Sequence, residues 1–252
     1  MTNAPFRIDV ITLTPDIWPM LASQATGLVG RAFRDGLAEC RVEHLRDYGK
    51  GVHRQVDDTP FGGGPGMLIG PEPTLHAINT VRKRNPGPVI MLSPRGKVFN
   101  QAIANELAQG EGMTFLCGRY EGFDERVRAY VDLDLSIGDF VLSGGDPAAW
   151  CMVDAIVRRL PSVLGNADSI VDESFENQGL EHPQFTRPAE FDGRRVPDVL
   201  RSGDHAKIDN WRREVGDQLT RKYRPDLKQE VETTGLKDLD GRLWRDDLDH
   251  AK

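Results

Sequence analysis

Three apolar runs in this 252-residue chain each break off into a stretch short of side chains, and that repeated format narrows the fold more than any other feature. The runs are Ile90-Met91-Leu92-Ser93-Pro94-Arg95-Gly96, then Phe115-Leu116-Cys117-Gly118-Arg119-Tyr120-Glu121-Gly122, then Ser136 to Gly145. A short apolar run bounded by turn residues reads as a strand buried on both faces, the unit of a parallel sheet. In an open parallel sheet, ligands bind beyond the carboxyl ends of the strands. Three bare strand ends therefore suit a single pocket whose backbone groups touch the ligand. Two simpler causes compete with a ligand pocket: turns that any parallel sheet needs, and backbone geometry that only glycine tolerates.

The rest of the chain fits the same class. Phe6–Leu13 alternates apolar and polar residues as a strand does, and Cys40–Arg46 is a second strand candidate. Helical patterns cover Ile17–Ala22, Leu28–Asp35 with Gly36 as a stop, Pro71–Arg84, Gln101–Gln109, Asp124–Val131 and Pro147–Leu160. Pro88–Ser93, Met113–Tyr120 and Leu133–Gly138 are the further strands. Strands alternating with helices predict an α/β fold with a mostly parallel sheet covered on both faces. Periodicity weakens near Pro161, where turn residues gather. An α/β domain over 1–160, a linker over 161–176 and a small, mostly helical domain over 177–252 is the expected organisation. A helix with a basic end falls within Arg201–Pro225, and a last one within Leu239–Leu248.

Composition excludes several classes. An apolar share of 38% supports a real core, and a formal charge of -7 argues against coating nucleic acid by bulk attraction while leaving a local basic site open. No apolar run approaches the roughly 18 residues that span a bilayer. The N-terminus lacks the basic-then-apolar pattern of a secretion signal, so a soluble cytoplasmic protein is expected. Cys40, Cys117 and Cys151 are too few and scattered for a disulfide framework or a zinc site, and read as small buried hydrophobes. His53, His182 and His205 lack metal-ligand spacing and are assigned structural or hydrogen-bonding roles.

Neither a dinucleotide fingerprint nor a P-loop is present. Phe61–Met67 ("FGGGPGM") has no phosphate-binding lysine; it reads as a flexible connection, or as a lid or substrate loop. Arg194, Arg195, Arg212, Arg213, Arg221, Lys222 and Arg224, interleaved with Trp211 and Tyr223, form either a phosphate-and-stacking surface for RNA or a solvated helix face.

"VDDTPFGGGPGM", "LSPRG", "CGRYEGFDERV", "SIGDFVLSGGD", "FTRP" and "SGDHAKIDNWR" occur in this order from about Phe6 to Arg224. In this combination the sequence resembles the bacterial TrmD family of tRNA (guanine-N1)-methyltransferases, within the SPOUT superfamily. The resemblance implies that the 1–160 domain is a sheet ending in a deep C-terminal trefoil knot, with S-adenosyl-L-methionine bent inside it. Leu92, Ser93, Pro94 and Gly96 would line one side of that pocket; Gly118, Tyr120 and Glu121 the second; Ile137, Gly138, Phe140, Leu142, Gly144 and Gly145 the third. The resemblance further implies methylation at N1 of the guanine 3′ of the anticodon, position 37. Glu173 would be the general base and Arg158 the group stabilising charge at O6. Many relatives carry aspartate at the base position, so Asp172 is the alternative base. Asp146 and Trp150 also depart from the glutamate and smaller residue found in many relatives.

By the same motifs, Arg187, Ser202, His205, Trp211 and Arg212 would contact the tRNA anticodon arm. A homodimer with active sites at the subunit interface, Glu173 acting in trans, and a magnesium requirement are family expectations; the sequence holds no dedicated metal site. The rival readings are a SPOUT ribose 2′-O-methyltransferase and a cofactor-free RNA-binding protein on the same scaffold.

Overall fold

Asp9 is polar in sequence yet almost wholly buried, because the strand it belongs to lies in the middle of a sheet. The computed structural model describes residues 4–24, 27–163, 173–176 and 179–228. Strands β1 (Phe6–Thr12), β2 (Ala38–His44), β5 (Val89–Val98), β6 (Gly112–Leu116) and β7 (Leu133–Ser136) form one sheet in the order β2-β1-β6-β5-β7. Every pairing in it is parallel. The alternation in β1 therefore sorts residues between two covered faces, not between core and solvent. Ile8 and Val10 join one apolar cluster, and Ile11 joins the other. Asp9 shares the face of Ile11, where Arg84 Nε (2.9 Å) and Asn85 Nδ2 (2.9 Å) donate to its carboxylate.

Helices α1 (Ile17–Gln24), α2 (Gly27–Arg34), α4 (Gln101–Ala108) and α5 (Asp146–Val157) supply the first cluster. Helix α3 (Pro71–Arg82) covers the opposite face through Ala77, Ile78 and Val81. Proline at the start of α3 and the Asn100 side chain accepting from Ile103 N (3.0 Å) at α4 set two of the helix starts. The mostly parallel α/β sheet expected from the sequence is present. Strands β3 (Asp57–Asp58) and β4 (Leu68–Ile69) form a small antiparallel pair beside it.

Several expectations need correction. The short helix expected over Asp124–Val131 is present but of the tighter 3-10 kind, over Glu125–Tyr130, capped by the Asp124 carboxylate. The strand expected over Met113–Tyr120 ends at Leu116, and the one expected to end at Ser93 resumes and runs to Val98. The cysteines are not uniformly buried. Cys117 is, but Cys40 is intermediate and Cys151 is exposed on the outer stripe of α5 with Pro147 and Asp154.

Described residues up to 163 belong to one compact unit and those from 173 to 228 to a second. The second unit carries α6 (His205–Tyr223), whose N-cap Asp204 accepts from Lys207 N at 3.2 Å. It also contains a hairpin of β8 (Glu190–Phe191) and β9 (Arg194–Arg195), which helical periodicity did not foretell. Its turn residues Asp192 and Gly193 both have positive φ, the pairing a two-residue hairpin turn requires. The helix expected in Leu239–Leu248 and most of the expected linker lie outside the described residues. Among the described residues no helix is long and apolar enough to cross a membrane.

Candidate active site

The three side-chain-poor segments converge at the carboxyl ends of β5, β6 and β7. In β5, Leu92 pairs with Leu135 of β7, the chain then loops out, and Lys97 pairs with the same Leu135. Gly96 brings the loop back against β7: a Cβ there would lie 2.5 Å from Leu135 backbone atoms. The second segment turns sharply after Cys117, with Tyr120 at φ 57 and Gly122 at φ 98. It is fastened to the end of the glycine-rich loop and to β4, since Glu121 N donates to Met67 O (3.0 Å) and Ile69 N to Gly122 O (2.9 Å).

The third segment leaves β7 through Gly138, whose φ of 142 no other residue adopts readily. It rejoins the second where Arg119 Nη1 donates to Ser143 O (3.0 Å) and Gly145 N to Gly118 O (2.9 Å). Gly145 is pressed so close that a Cβ would stand 2.8 Å from Cys117 Cα.

Between the loops lies a cavity of about 320 Å³. Leu92, Ser93 and Pro94 line it from the first loop, and Gly118, Tyr120 and Glu121 from the second. Ile137, Gly138, Phe140, Leu142, Gly144 and Gly145 line it from the third. Gly96 does not reach it, being occupied with the backbone of β7. Arg119, Ser136, Ser143 and Ala148 also contribute. They were not among the expected lining residues, although Arg119, Ser136 and Ser143 lie within segments already singled out and Ala148 lies three residues beyond one. Phe140 and Val141, 55% and 88% exposed, leave the mouth apolar.

The two catalytic candidates lie elsewhere in the chain. Arg158 caps the far end of α5, half-buried. The helix starts at the cavity and is 12 residues long, which puts Arg158 about 18 Å away along its axis. Its neighbours Arg159 and Leu160 line a different cavity, with Phe6 and Arg7 at the start of β1. Glu173 belongs to the second unit and lines a polar groove with His182, Arg212, Arg213 and Lys228. Asp172 lies outside the described residues.

Of the residues expected to meet RNA, Arg212 shares that groove, with Asp209 3.5 Å away. Trp211 is half-buried, its ring edge-on to His182 (6.2 Å) and tilted against Phe185 (6.4 Å). Ser202 Oγ donates to Val199 O (2.8 Å), and exposed His205 opens α6. Arg187 is exposed before Pro188. Among the described residues no group of three His, Cys, Asp or Glu side chains is arranged to hold a metal ion.

Comparison with known proteins places the chain in a family. A family model described as tRNA (Guanine-1)-methyltransferase TrmD matches residues 6–230. A tRNA (guanine-N(1)-)-methyltransferase of Myxococcus xanthus is 48% identical over 231 residues, covering 91% of this chain and 93% of its own. The proteins of that name from Syntrophotalea carbinolica and Clostridium beijerinckii are 47% and 44% identical, covering 94% and 90% of this chain and 95% and 94% of their own. The chain belongs to the tRNA (guanine-1)-methyltransferase TrmD family.

Proposed function

We infer that this chain methylates N1 of a guanine in tRNA, at position 37, with S-adenosyl-L-methionine as donor. The observation that carries the reading is the cavity at three strand ends in a chain of this family. Its volume falls at the small end of ligand sites, about 300–1,000 Å³. The residues present suit the donor: bare backbone at Gly118 and Gly144, apolar walls at Leu92, Ile137 and Ala148, and the Glu121 carboxylate for an ammonium group. When bound, the donor supplies an electrophilic methyl on a sulfonium. The loop between Leu92 and Lys97 and the close backbone passes at Gly96 and Gly145 support a trefoil knot as the scaffold.

N1 of neutral guanine carries a proton and attacks only after losing it. Glu173 accepts that proton as general base, and Arg158 stabilises the negative charge that moves to O6. Because Arg158 stands a helix length from its own cavity, a homodimer in which one subunit's Arg158 and Glu173 serve the other's cavity fits best. The exposed apolar rim of Phe140 and Val141 supports such a partner. Arg187, Ser202, His205, Trp211 and Arg212 then hold the anticodon arm, and the target base turns out of its stack to reach the methyl group.

The test is methyl transfer to an unmodified tRNA transcript and to a twin with adenine at position 37, with the product nucleoside identified by mass spectrometry. 1-Methylguanosine in the first alone is expected. Donor binding without methylation of either would overturn the substrate, and no donor binding would overturn the enzyme reading. Glu173→Gln is expected to lower turnover about 10²–10⁴-fold, the usual worth of a positioned base, with donor affinity unchanged. Full activity in that variant and loss in Asp172→Asn would move the base to Asp172.

A further inference from the structure

A turn without side chains cannot hold itself in place by packing, so the position of Gly144–Gly145 must be set by its neighbours. On one side Arg119 holds the Ser143 carbonyl and Gly145 N donates to Gly118 O at 2.9 Å. On the other the first side chain is Asp146, and it is 5% exposed. Burying a carboxylate is costly unless hydrogen bonds replace water. Three neutral donors do so: Thr12 Oγ1 at 2.7 Å and Trp18 Nε1 at 2.7 Å to Oδ1, and Thr14 Oγ1 at 3.0 Å to Oδ2. Thr14 N is itself bound to Thr12 Oγ1 (3.0 Å), which fixes the exit from β1. Trp18 is completely buried and meets Trp150 edge-on, 5.8 Å between centroids. The clasp thus joins the end of β1, the start of α1 and the first turn of α5, and residues on both sides of Asp146, Gly145 and Ala148, line the cavity.

We propose that Asp146 is a positioning residue for methyl transfer: clasped by Thr12, Thr14 and Trp18, it sets the place of the Gly144–Gly145 wall and so the affinity for the methyl donor. The proposal rests on the reading of the cavity as the donor site.

The test measures S-adenosylmethionine and S-adenosylhomocysteine binding by calorimetry, and methyl-transfer kinetics, in wild type, Asp146→Asn and Thr14→Val. Asp146→Asn keeps the shape while weakening the bonds, and is expected to weaken both nucleosides by about tenfold, with Thr14→Val weakening both by about threefold. KM for the donor should rise in step while KM for tRNA stays within about twofold, as expected for a defect confined to one binding site. Should Asp146→Asn fail to fold, Thr14→Val, whose hydroxyl sits at the half-exposed edge, decides the matter.

Unchanged binding in the folded variants would overturn the proposal, as would a rise in KM for tRNA alone. Weaker binding of the sulfonium donor but not of the neutral thioether would also overturn it, since charge and not placement would then be acting. A wild type that binds neither nucleoside would overturn the donor-site reading itself, an outcome distinct from all of these.

Discussion

Adjacent glycines at 144 and 145 should respond to alanine in opposite ways, because different atoms wait for the added methyl. At Gly145 the methyl would stand 2.8 Å from Cys117 Cα and 3.1 Å from Gly118 N, all backbone. Comfortable carbon contacts are about 3.5–4.0 Å, so the start of α5 or the end of β6 must yield by roughly 1 Å. Overpacking of this kind costs about 1–3 kcal/mol, and the Gly145–Gly118 hydrogen bond adds about 1 kcal/mol when it stretches. The sum, about 2–4 kcal/mol, corresponds to a fall in melting temperature of roughly 5–15 °C for a domain of this size.

At Gly144 the methyl meets chiefly the Arg119 side chain, with Cδ at 2.5 Å and Nη1 at 2.9 Å, while the nearest backbone atom, Gly118 O at 3.2 Å, must give by far less than at Gly145. That side chain can swing aside for the loss of one surface hydrogen bond, about 1 kcal/mol or less, shifting melting by no more than about 4 °C. The displaced arginine and the new methyl both crowd the cavity, so donor binding should fall steeply while stability holds. Scanning calorimetry at one fixed heating rate, followed by donor titration, reads both quantities. A Gly145→Ala protein that melts with wild type, or a Gly144→Ala protein that melts below it while binding donor normally, would refute the reasoning.

Burial, and then the charge of Asp9, pushes the Cys40 thiol up to about 12, while burial and then Asp146 push Cys117 well above its ordinary value. Both stay protonated at pH 8, so iodoacetamide should label exposed Cys151 alone, seen as one adduct per chain by mass spectrometry; an adduct on Cys117 in folded protein would contradict this. The Arg126 guanidinium, donating to both oxygens of Asp124 at 2.8 Å, holds that carboxyl below the usual carboxylate range. Its folded value lies under the unfolded one of about 4, so its stabilisation is complete above that pH and is lost as pH falls through the folded value. Carboxyl titration by NMR should show the Asp124 midpoint rising in Arg126→Ala, and an unmoved midpoint would dismiss the assignment.

Much of the sheet was legible because its strands are short apolar runs closed by glycine or proline, as at Pro88–Ser93. What escaped depended on partners distant in sequence. Nothing local tells that Lys97 re-pairs with the residue Leu92 has already used, and the Pro-Arg-Gly between them reads as an ordinary end of strand. Asp9 looks like an outward residue of an amphipathic strand until Arg84 and Asn85 are seen beside it. The residues expected around the donor fall together in one cavity, except Gly96, which serves the backbone of β7 instead. Asp146 stood out in sequence only as an unusual residue, because its donors Thr12, Thr14 and Trp18 lie far upstream.

The strand order also has a consequence during synthesis. Strand β1 can pair with β2 as soon as both have left the ribosome, but its other neighbour, β6, is made much later. At about 5–20 residues per second, the roughly one hundred intervening residues take about 5–20 s. For that interval Ile8, Val10 and Ile11 sit on an open parallel edge with neither apolar face fully covered. For those seconds β1 offers an unpaired parallel edge, so slowing elongation before β6 should lower the yield of folded chain.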